Sequence, residues 1–177
     1  AHELAAWIVT VHLIVALVFV QLLLYATVEG FGMAEGRSVK AEAIAIGALI
    51  VLTLIQIGFG AQVRGAVDTA LDAGVARGLA LGTVGRLDFL HRDLAFAVLA
   101  GAAILAIWFR YQRVPQRLVG WSLIVLSLAV LQVVMGVVMA YVALWPAAQV
   151  AHLTIASLLL GAETVLWLLA PKVQFAH

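Results

Sequence analysis

Long apolar segments dominate this sequence and restrict the folds open to it. Hydrophobic residues make up 66% of the chain and charged residues 11%, whereas a soluble domain is about half apolar and a quarter charged. A helix needs about 20 apolar residues to cross a bilayer. Five segments meet this length: Leu4–Val28, Ala43–Val63, Leu87–Phe109, Leu118–Leu144 and Ala147–Ala170. The sequence therefore predicts an all-α integral membrane protein with five transmembrane helices surrounded by lipid.

The connections between these spans differ in length and charge. We expect a polar linker at Glu29–Glu42, a long loop at Arg64–Arg86, a tight basic turn at Arg110–Arg117 and a very short turn at Trp145-Pro146. The absence of cysteine from the sequence excludes disulfides, thiolate metal sites, iron–sulfur clusters and covalently attached heme. The formal net charge of +1 gives no indication of a nucleic-acid partner.

Lysine and arginine predict the orientation of the spans, because these residues concentrate on the cytoplasmic side of membrane proteins. One side of the predicted topology holds Arg37, Lys40, Arg110, Arg113, Arg117 and Lys172. The other side holds Arg64, Arg77, Arg86 and Arg92. The excess places the first side in the cytoplasm and the N-terminus outside. We expect a bacterial or archaeal cytoplasmic membrane.

The sequence contains an internal repeat. Gln56 and Gly60 recur as Gln132 and Gly136, and each pair lies in the span that precedes a histidine-bearing span. In addition, the residues around His12 resemble those around His152, so span 1 looks like another copy of span 5. This repeat predicts residues 41–177 as a four-helix bundle, with residues 1–40 forming an additional N-terminal helix and a cytoplasmic linker.

Two histidines are the strongest candidates for metal ligands. His91 and His152 each lie about one turn inside a span that enters the membrane from outside, so we expect both rings at similar depth near the outer face. Two facing imidazoles in a helix bundle can ligate one heme iron. A single such histidine is more often an interfacial residue bonded to a neighbouring helix. The matched pair favours a heme site.

His12 has three open interpretations. It lies at the same depth in span 1 and corresponds to His152 in the repeat. It could be a leftover ligand, a ligand shared with another chain, or a structural residue.

Few charged side chains lie near these histidines. Asp88 precedes His91 by three residues and shares its helix face, either as a functional carboxylate or as a first-turn residue favoured by the helix dipole. Glu163 lies mid-span, where a carboxylate suggests function, and could bond to Gln56 or Gln132. Three outer-face arginines could pair with heme propionates or mark the headgroup boundary: Arg64, Arg86 and Arg92.

The combined motifs resemble the heme A synthase family. Gly60-Ala61-Gln62-Val63-Arg64 resembles the string that ends the first helix of each four-helix half in that family. Asp88-Phe89-Leu90-His91-Arg92 resembles the opening of the second helix, and Ala151-His152-Leu153 resembles the fourth. The resemblance covers about residues 43–170, the C-terminal half, and span 1 resembles the last helix of the preceding half.

The resemblance implies a heme b held by His91 and His152, with heme O or heme A as substrate or product. It implies oxidation of the heme O methyl group to the formyl group of heme A, with Asp88 in the catalytic position and Arg64 and Arg92 beside the cofactor. A second hypothesis is a b-type cytochrome that carries electrons in a larger respiratory or photosynthetic complex. A third is a heme-free scaffold. We expect a homo-oligomer or a subunit of a larger membrane complex.

Overall fold

The computed structural model describes residues 2–30, 40–142 and 144–170, and its regular structure is helical throughout this part of the chain. The helices are α1 (His2–Gly30), α2 (Lys40–Asp72), α3 (Arg77–Ala80), α4 (Arg86–Tyr111), α5 (Gln116–Tyr141) and α6 (Pro146–Leu169), with a 3-10 turn at Leu81–Thr83. Five of them are long and apolar enough to cross a membrane, all except α3. The predicted all-α membrane fold is confirmed. Arg37, Lys172 and most of the predicted linker lie outside the described residues.

Four of these helices form a closed ring. Going around it, α2 packs on α4, α4 on α5, α5 on α6, and α6 again on α2. Each neighbour in the ring runs antiparallel to the next, which is the up-and-down arrangement that short connections favour. Consequently α4 and α6 lie diagonally opposite each other, and their inward faces meet in the interior of the bundle.

Helix α1 packs outside this ring, chiefly against α6. Leu24 of α1 reaches Gly161 of α6, where an added Cβ would lie 3.3 Å from its Cδ1. Small residues allow this close approach between membrane helices, which associate without a hydrophobic driving force. The other side of α1 exposes large apolar side chains such as Ile14, Val15 and Phe19, as lipid contact requires.

The predicted loop at Arg64–Arg86 is wrong in its first part, because α2 continues to Asp72. The apolar run ends near Val63, but the next two turns remain helical with an ion pair between Arg64 and Asp68 at i, i+4. Gly74 then ends the helix at φ 85°, with its own N–H bonded to the carbonyl of Leu71 and the N–H of Val75 bonded to the carbonyl of Ala70. This pair of bonds is a Schellman cap, which favours glycine at that position.

The other helix ends lie within three residues of the predicted ones. Helix α6 begins at Pro146, directly after Trp145. Proline is favoured in the first helical turn because its missing N–H would have no partner there. Helix α5 ends at Tyr141, three residues before the predicted boundary at Leu144. Because α4 and α6 are each antiparallel to α5, the two histidine-bearing helices enter the bundle from the same end.

Candidate functional site

His91 and His152 face each other inside the bundle. His91 lies in the second turn of α4 and His152 in the second turn of α6, on the two diagonally opposed helices. Their ring centres are 6.5 Å apart, with the ring planes inclined at 67°. Both side chains are partly buried. The structure thus brings together the two histidines that the sequence paired.

Each histidine lies against the repeated Gln–Gly pair on the preceding long helix. A Cβ added at Gly60 of α2 would lie 3.0 Å from Cε1 of His91, and one added at Gly136 of α5 would lie 3.7 Å from Cε1 of His152. The His91 ring also faces the main chain of Gln56, as the His152 ring faces that of Gln132. The two glycines therefore form the floor on which the two rings rest.

Polar atoms without partners concentrate at this point. Nδ1 of His91, Nδ1 of His152, Oε1 of Gln56 and Oε1 of Gln132 are buried and have no hydrogen-bond partner in the described structure. Buried polar groups are normally paired, and unpaired ones indicate strain, a missing water or ion, or a binding function. Four such atoms beside one pair of rings indicate a place built for a ligand.

The second histidine differs from the first in one contact. Nε2 of the Gln132 amide lies 3.0 Å from Nε2 of His152. In the part of the chain that the structure describes, no side chain makes a corresponding hydrogen bond to the His91 ring. The two halves of the repeat are therefore similar in backbone arrangement and unequal in hydrogen bonding.

The histidine pair fits heme better than a bare metal ion. Among the described residues, no group of three or more His, Asp or Glu side chains is placed to hold a metal, whereas a zinc site takes at least three protein ligands. Heme iron needs only axial ligands from the protein, because the porphyrin supplies the remaining four. With metal–nitrogen bonds of about 2 Å and roughly 1 Å from each nitrogen to its ring centre, an axial pair needs ring centres about 6 Å apart. The observed 6.5 Å agrees with this spacing.

Asp88 and Arg92 form an ion pair beside His91. Nη2 of Arg92 lies 2.5 Å from Oδ2 of Asp88 along α4. The same guanidinium donates through Nη1 to the hydroxyl of Tyr141 at 3.0 Å, and its central carbon lies 5.5 Å from the centre of the Tyr141 ring. Asp88 is only 13% exposed. Arg92 thereby connects α4 to the C-terminal end of α5.

The other arginines and His12 lie apart from this cluster. Arg64 is one turn beyond Gly60 on α2, but its guanidinium pairs with Asp68 on the exposed surface. Arg86 is exposed at the first residue of α4. His12 is exposed on α1, which packs outside the four-helix ring. The structure does not bring these side chains into contact with the histidine pair.

A second buried polar pair lies deeper in the protein. Thr53 of α2 donates its hydroxyl hydrogen to Oε1 of Glu163 on α6 at 2.8 Å, while Oε2 of the same carboxyl group has no partner. Glu163 is completely buried and Thr53 is 2% exposed. The partners expected from the sequence, Gln56 and Gln132, are wrong, because Oε1 of Glu163 accepts from Thr53 and the Gln132 amide contacts His152 instead.

Two contact residues carry no signal in the sequence. Tyr141 contacts Arg92, 49 positions away in the sequence, and Thr53 contacts Glu163, 110 positions away. No sequence motif marks either residue. The glutamines had a usable signal. Gln56 and Gln132 each stand one turn before a glycine that lies against a histidine, so the repeat already placed them at the site.

Comparison with protein families agrees with this architecture. The COX15-CtaA family, described as cytochrome oxidase assembly protein, matches residues 1–164. No curated protein and no solved structure gives a significant match. The family match covers most of the chain, including both histidines and the two Gln–Gly pairs. The chain therefore belongs to the COX15-CtaA family of cytochrome oxidase assembly proteins, the heme A synthase family that its motifs resemble.

Proposed function

We propose that this protein binds heme between His91 and His152 and acts in the formation of heme A, oxidising the methyl group of heme O to a formyl group. Family membership supports a role in cytochrome oxidase assembly. The observation that carries the proposal is the pair of opposed imidazoles, whose ring centres are 6.5 Å apart inside the bundle. The resident cofactor of this site is proposed to be heme b.

The chemistry of the bound group is oxidation and reduction at its iron. The chain would hold that group with two rigid supports, because α4 and α6 present their histidines from opposite corners of one bundle. The glycine floor at Gly60 and Gly136 has no side chains, so no side chain at these two positions displaces the histidine rings. Ligand sites built on helices are positioned more accurately than sites on loops.

The charged residues near the outer end complete the proposed site. Arg92 is partly exposed and lies one residue after His91, where it can pair with a propionate carboxylate. Arg64, about two turns before the end of α2, is assigned the same role. Asp88 is assigned to the substrate side of the site, since it lies one helical turn beyond His91 toward the outer end.

A second candidate function is a b-type cytochrome that carries electrons without catalysing heme oxidation. The ion pair between Asp88 and Arg92 favours it, because that carboxylate is already engaged by the neighbouring guanidinium at 2.5 Å. The histidine pair serves both functions equally well. The two proposals therefore differ in what Asp88 does.

The same proposal includes the membrane location and the partners of the protein. Five apolar helices indicate an integral membrane protein in contact with lipid. We assign it to a bacterial or archaeal cytoplasmic membrane, with the heme site near the outer face, and to a homo-oligomer or a larger membrane complex.

The deciding experiment replaces Asp88 in a host that produces heme O. Asp88→Ala is expected to abolish heme A formation while leaving the b-heme absorption spectrum in place. Asp93→Ala is the matched control, because Asp93 is an exposed aspartate on the same helix. Unchanged heme A output from Asp88→Ala would exclude the catalytic role. Copurifying heme B with no heme O or heme A would favour the electron carrier.

A further inference from the structure

The contact between Gln132 and His152 occupies the nitrogen that a metal would need. The two Nε2 atoms are 3.0 Å apart, and an amide nitrogen can only donate a hydrogen bond. Nε2 of His152 is therefore the acceptor, with its lone pair directed at the amide and its ring hydrogen on Nδ1. Neutral imidazole binds a metal through such a lone pair.

His91 carries no equivalent contact. Among the described side chains, none donates to its ring, and Oε1 of Gln56 remains unpartnered. Both rings rest on a glycine and face the main chain of a glutamine. The two halves of the repeat therefore differ at one hydrogen bond, and that bond lies on His152 alone.

We propose that the Gln132 amide holds the His152 ring until heme enters, so that His91 becomes the first axial ligand and His152 the second. This inference rests on the proposed heme site. For His152 to hold the iron, its hydrogen bond from Gln132 would have to break, so that the lone pair on Nε2 would become available to the metal. No electron or proton is transferred in this exchange.

The hydrogen bond from Gln132 stabilises the His152 ring in the heme-free protein, and it also opposes the binding of that ring to the metal. A buried imidazole with an unsatisfied lone pair would be costly in a membrane interior, and the amide satisfies it in the heme-free protein. The bond also fixes the tautomer that a metal requires, as outer partners of metal-binding histidines commonly do. Gln132 is thus a positioning residue whose contact must open before His152 can bind.

The test uses the full-length protein, purified without heme, and ferric heme B as the probe. After rapid mixing, the wild type is expected to show a high-spin absorption spectrum, from heme with one histidine ligand, before the low-spin spectrum of two. Gln132→Leu should shorten that interval roughly fivefold, since a typical hydrogen bond contributes about this factor. Gln56→Leu is the matched comparison, because this amide makes no hydrogen bond to a ring, and it should shorten the interval much less than Gln132→Leu does.

Variants that lack one histidine test the order in which His91 and His152 bind heme. His152→Ala should stop at the one-ligand spectrum at the wild-type initial rate, whereas His91→Ala should slow the first step itself. Equal intervals in Gln132→Leu and Gln56→Leu, or equal initial rates in the two histidine variants, would overturn the proposed order. A wild type that never reaches the low-spin spectrum would instead remove the proposed heme site.

A measurement on the heme-free protein tests the hydrogen bond between Gln132 and His152 separately from the proposed heme site. In protein labelled with nitrogen-15 at histidine, the Nε2 resonance of His152 should shift in Gln132→Leu and stay in place in Gln56→Leu, while the His91 resonances stay in place in Gln132→Leu. An unmoved His152 resonance would refute the hydrogen bond even in a protein that binds heme.

Discussion

Gly60 lies directly against His91, and a Cβ at position 60 would lie 3.0 Å from Cε1 of that ring. Real Cβ contacts are almost never shorter, so the ring would have to move by a few tenths of an ångström to admit a methyl group. The equivalent contact between Gly136 and His152 is 3.7 Å, an ordinary van der Waals distance. The two halves of the site therefore tolerate a methyl group to different degrees.

This difference predicts the outcome of two alanine substitutions. Gly60→Ala should weaken heme binding about tenfold, because over-packing of about 1–3 kcal/mol falls on the ligand ring itself. Gly136→Ala should change heme affinity less than threefold, since 3.7 Å leaves room for the methyl group. Heme titration followed by absorbance measures both. Equal affinities for the two variants would show that the glycine floor does not position the rings.

The two arginines near the histidine end of the bundle, Arg92 and Arg64, should contribute unequally to heme binding. Arg92→Gln is expected to weaken binding roughly tenfold, because charge-assisted hydrogen bonds contribute about 1.5–3 kcal/mol and Arg92 adjoins His91. Arg64→Gln should have a smaller effect, since its guanidinium pairs with Asp68 at the surface. The same titration compares them. A larger loss in Arg64→Gln would reassign the propionate contact to α2.

The buried pair of Thr53 and Glu163 should stabilise the packing of α2 on α6. Thr53→Val keeps the shape of the side chain but leaves both carboxyl oxygens of Glu163 without a partner, at a cost of about 1–3 kcal/mol. Glu163→Gln should be tolerated, because its amide oxygen can still accept from Thr53. Thermal unfolding in detergent reports the change in stability.

Thr164→Val is the control for that experiment. The hydroxyl of Thr164 bonds only to the carbonyl of Leu160 in its own helix, at 2.9 Å. Losing this bond should shift stability by less than about 0.5 kcal/mol. Equal losses in Thr53→Val and Thr164→Val would mean that the contact between helices adds nothing.

The cap at the end of α2 gives a test outside the membrane. Gly74 has φ 85°, so Gly74→Ala should lower the free energy of unfolding by about 1 kcal/mol. Gly78 lies in α3, where an added Cβ would meet no atom within 4 Å, and Gly78→Ala should be neutral or slightly stabilising. Denaturant unfolding compares the two. A stable Gly74→Ala protein would argue that α2 ends before Asp72.

Much of the fold could be predicted from the sequence because apolar length alone decides which segments cross the bilayer. The extension of α2 to Asp72 could not be predicted this way, since its last two turns carry charged and small residues and no apolar run. The Gly74 cap was a local signal for that end, and it stands in a stretch where several other glycines obscure it.

The site could be predicted as far as the repeat extends. His91 and His152 follow from matched depth, and Gln132 follows from its spacing to Gly136. The asymmetry between Gln132 and Gln56 could not be predicted, because it depends on side-chain orientation rather than on position. The contact of Tyr141 with Arg92 arises only when α5 packs on α4.

The most direct measurement is the absorption spectrum of the purified protein, with extraction of its heme, for the wild type, His91→Ala, His152→Ala and His12→Ala. The wild type should show a low-spin heme with two histidine ligands. His91→Ala and His152→Ala should each lose the low-spin spectrum, while His12→Ala, which changes an exposed histidine on α1, should retain it. A wild-type spectrum in both His91→Ala and His152→Ala, or a colourless wild type after expression with ample heme, would contradict the proposed site.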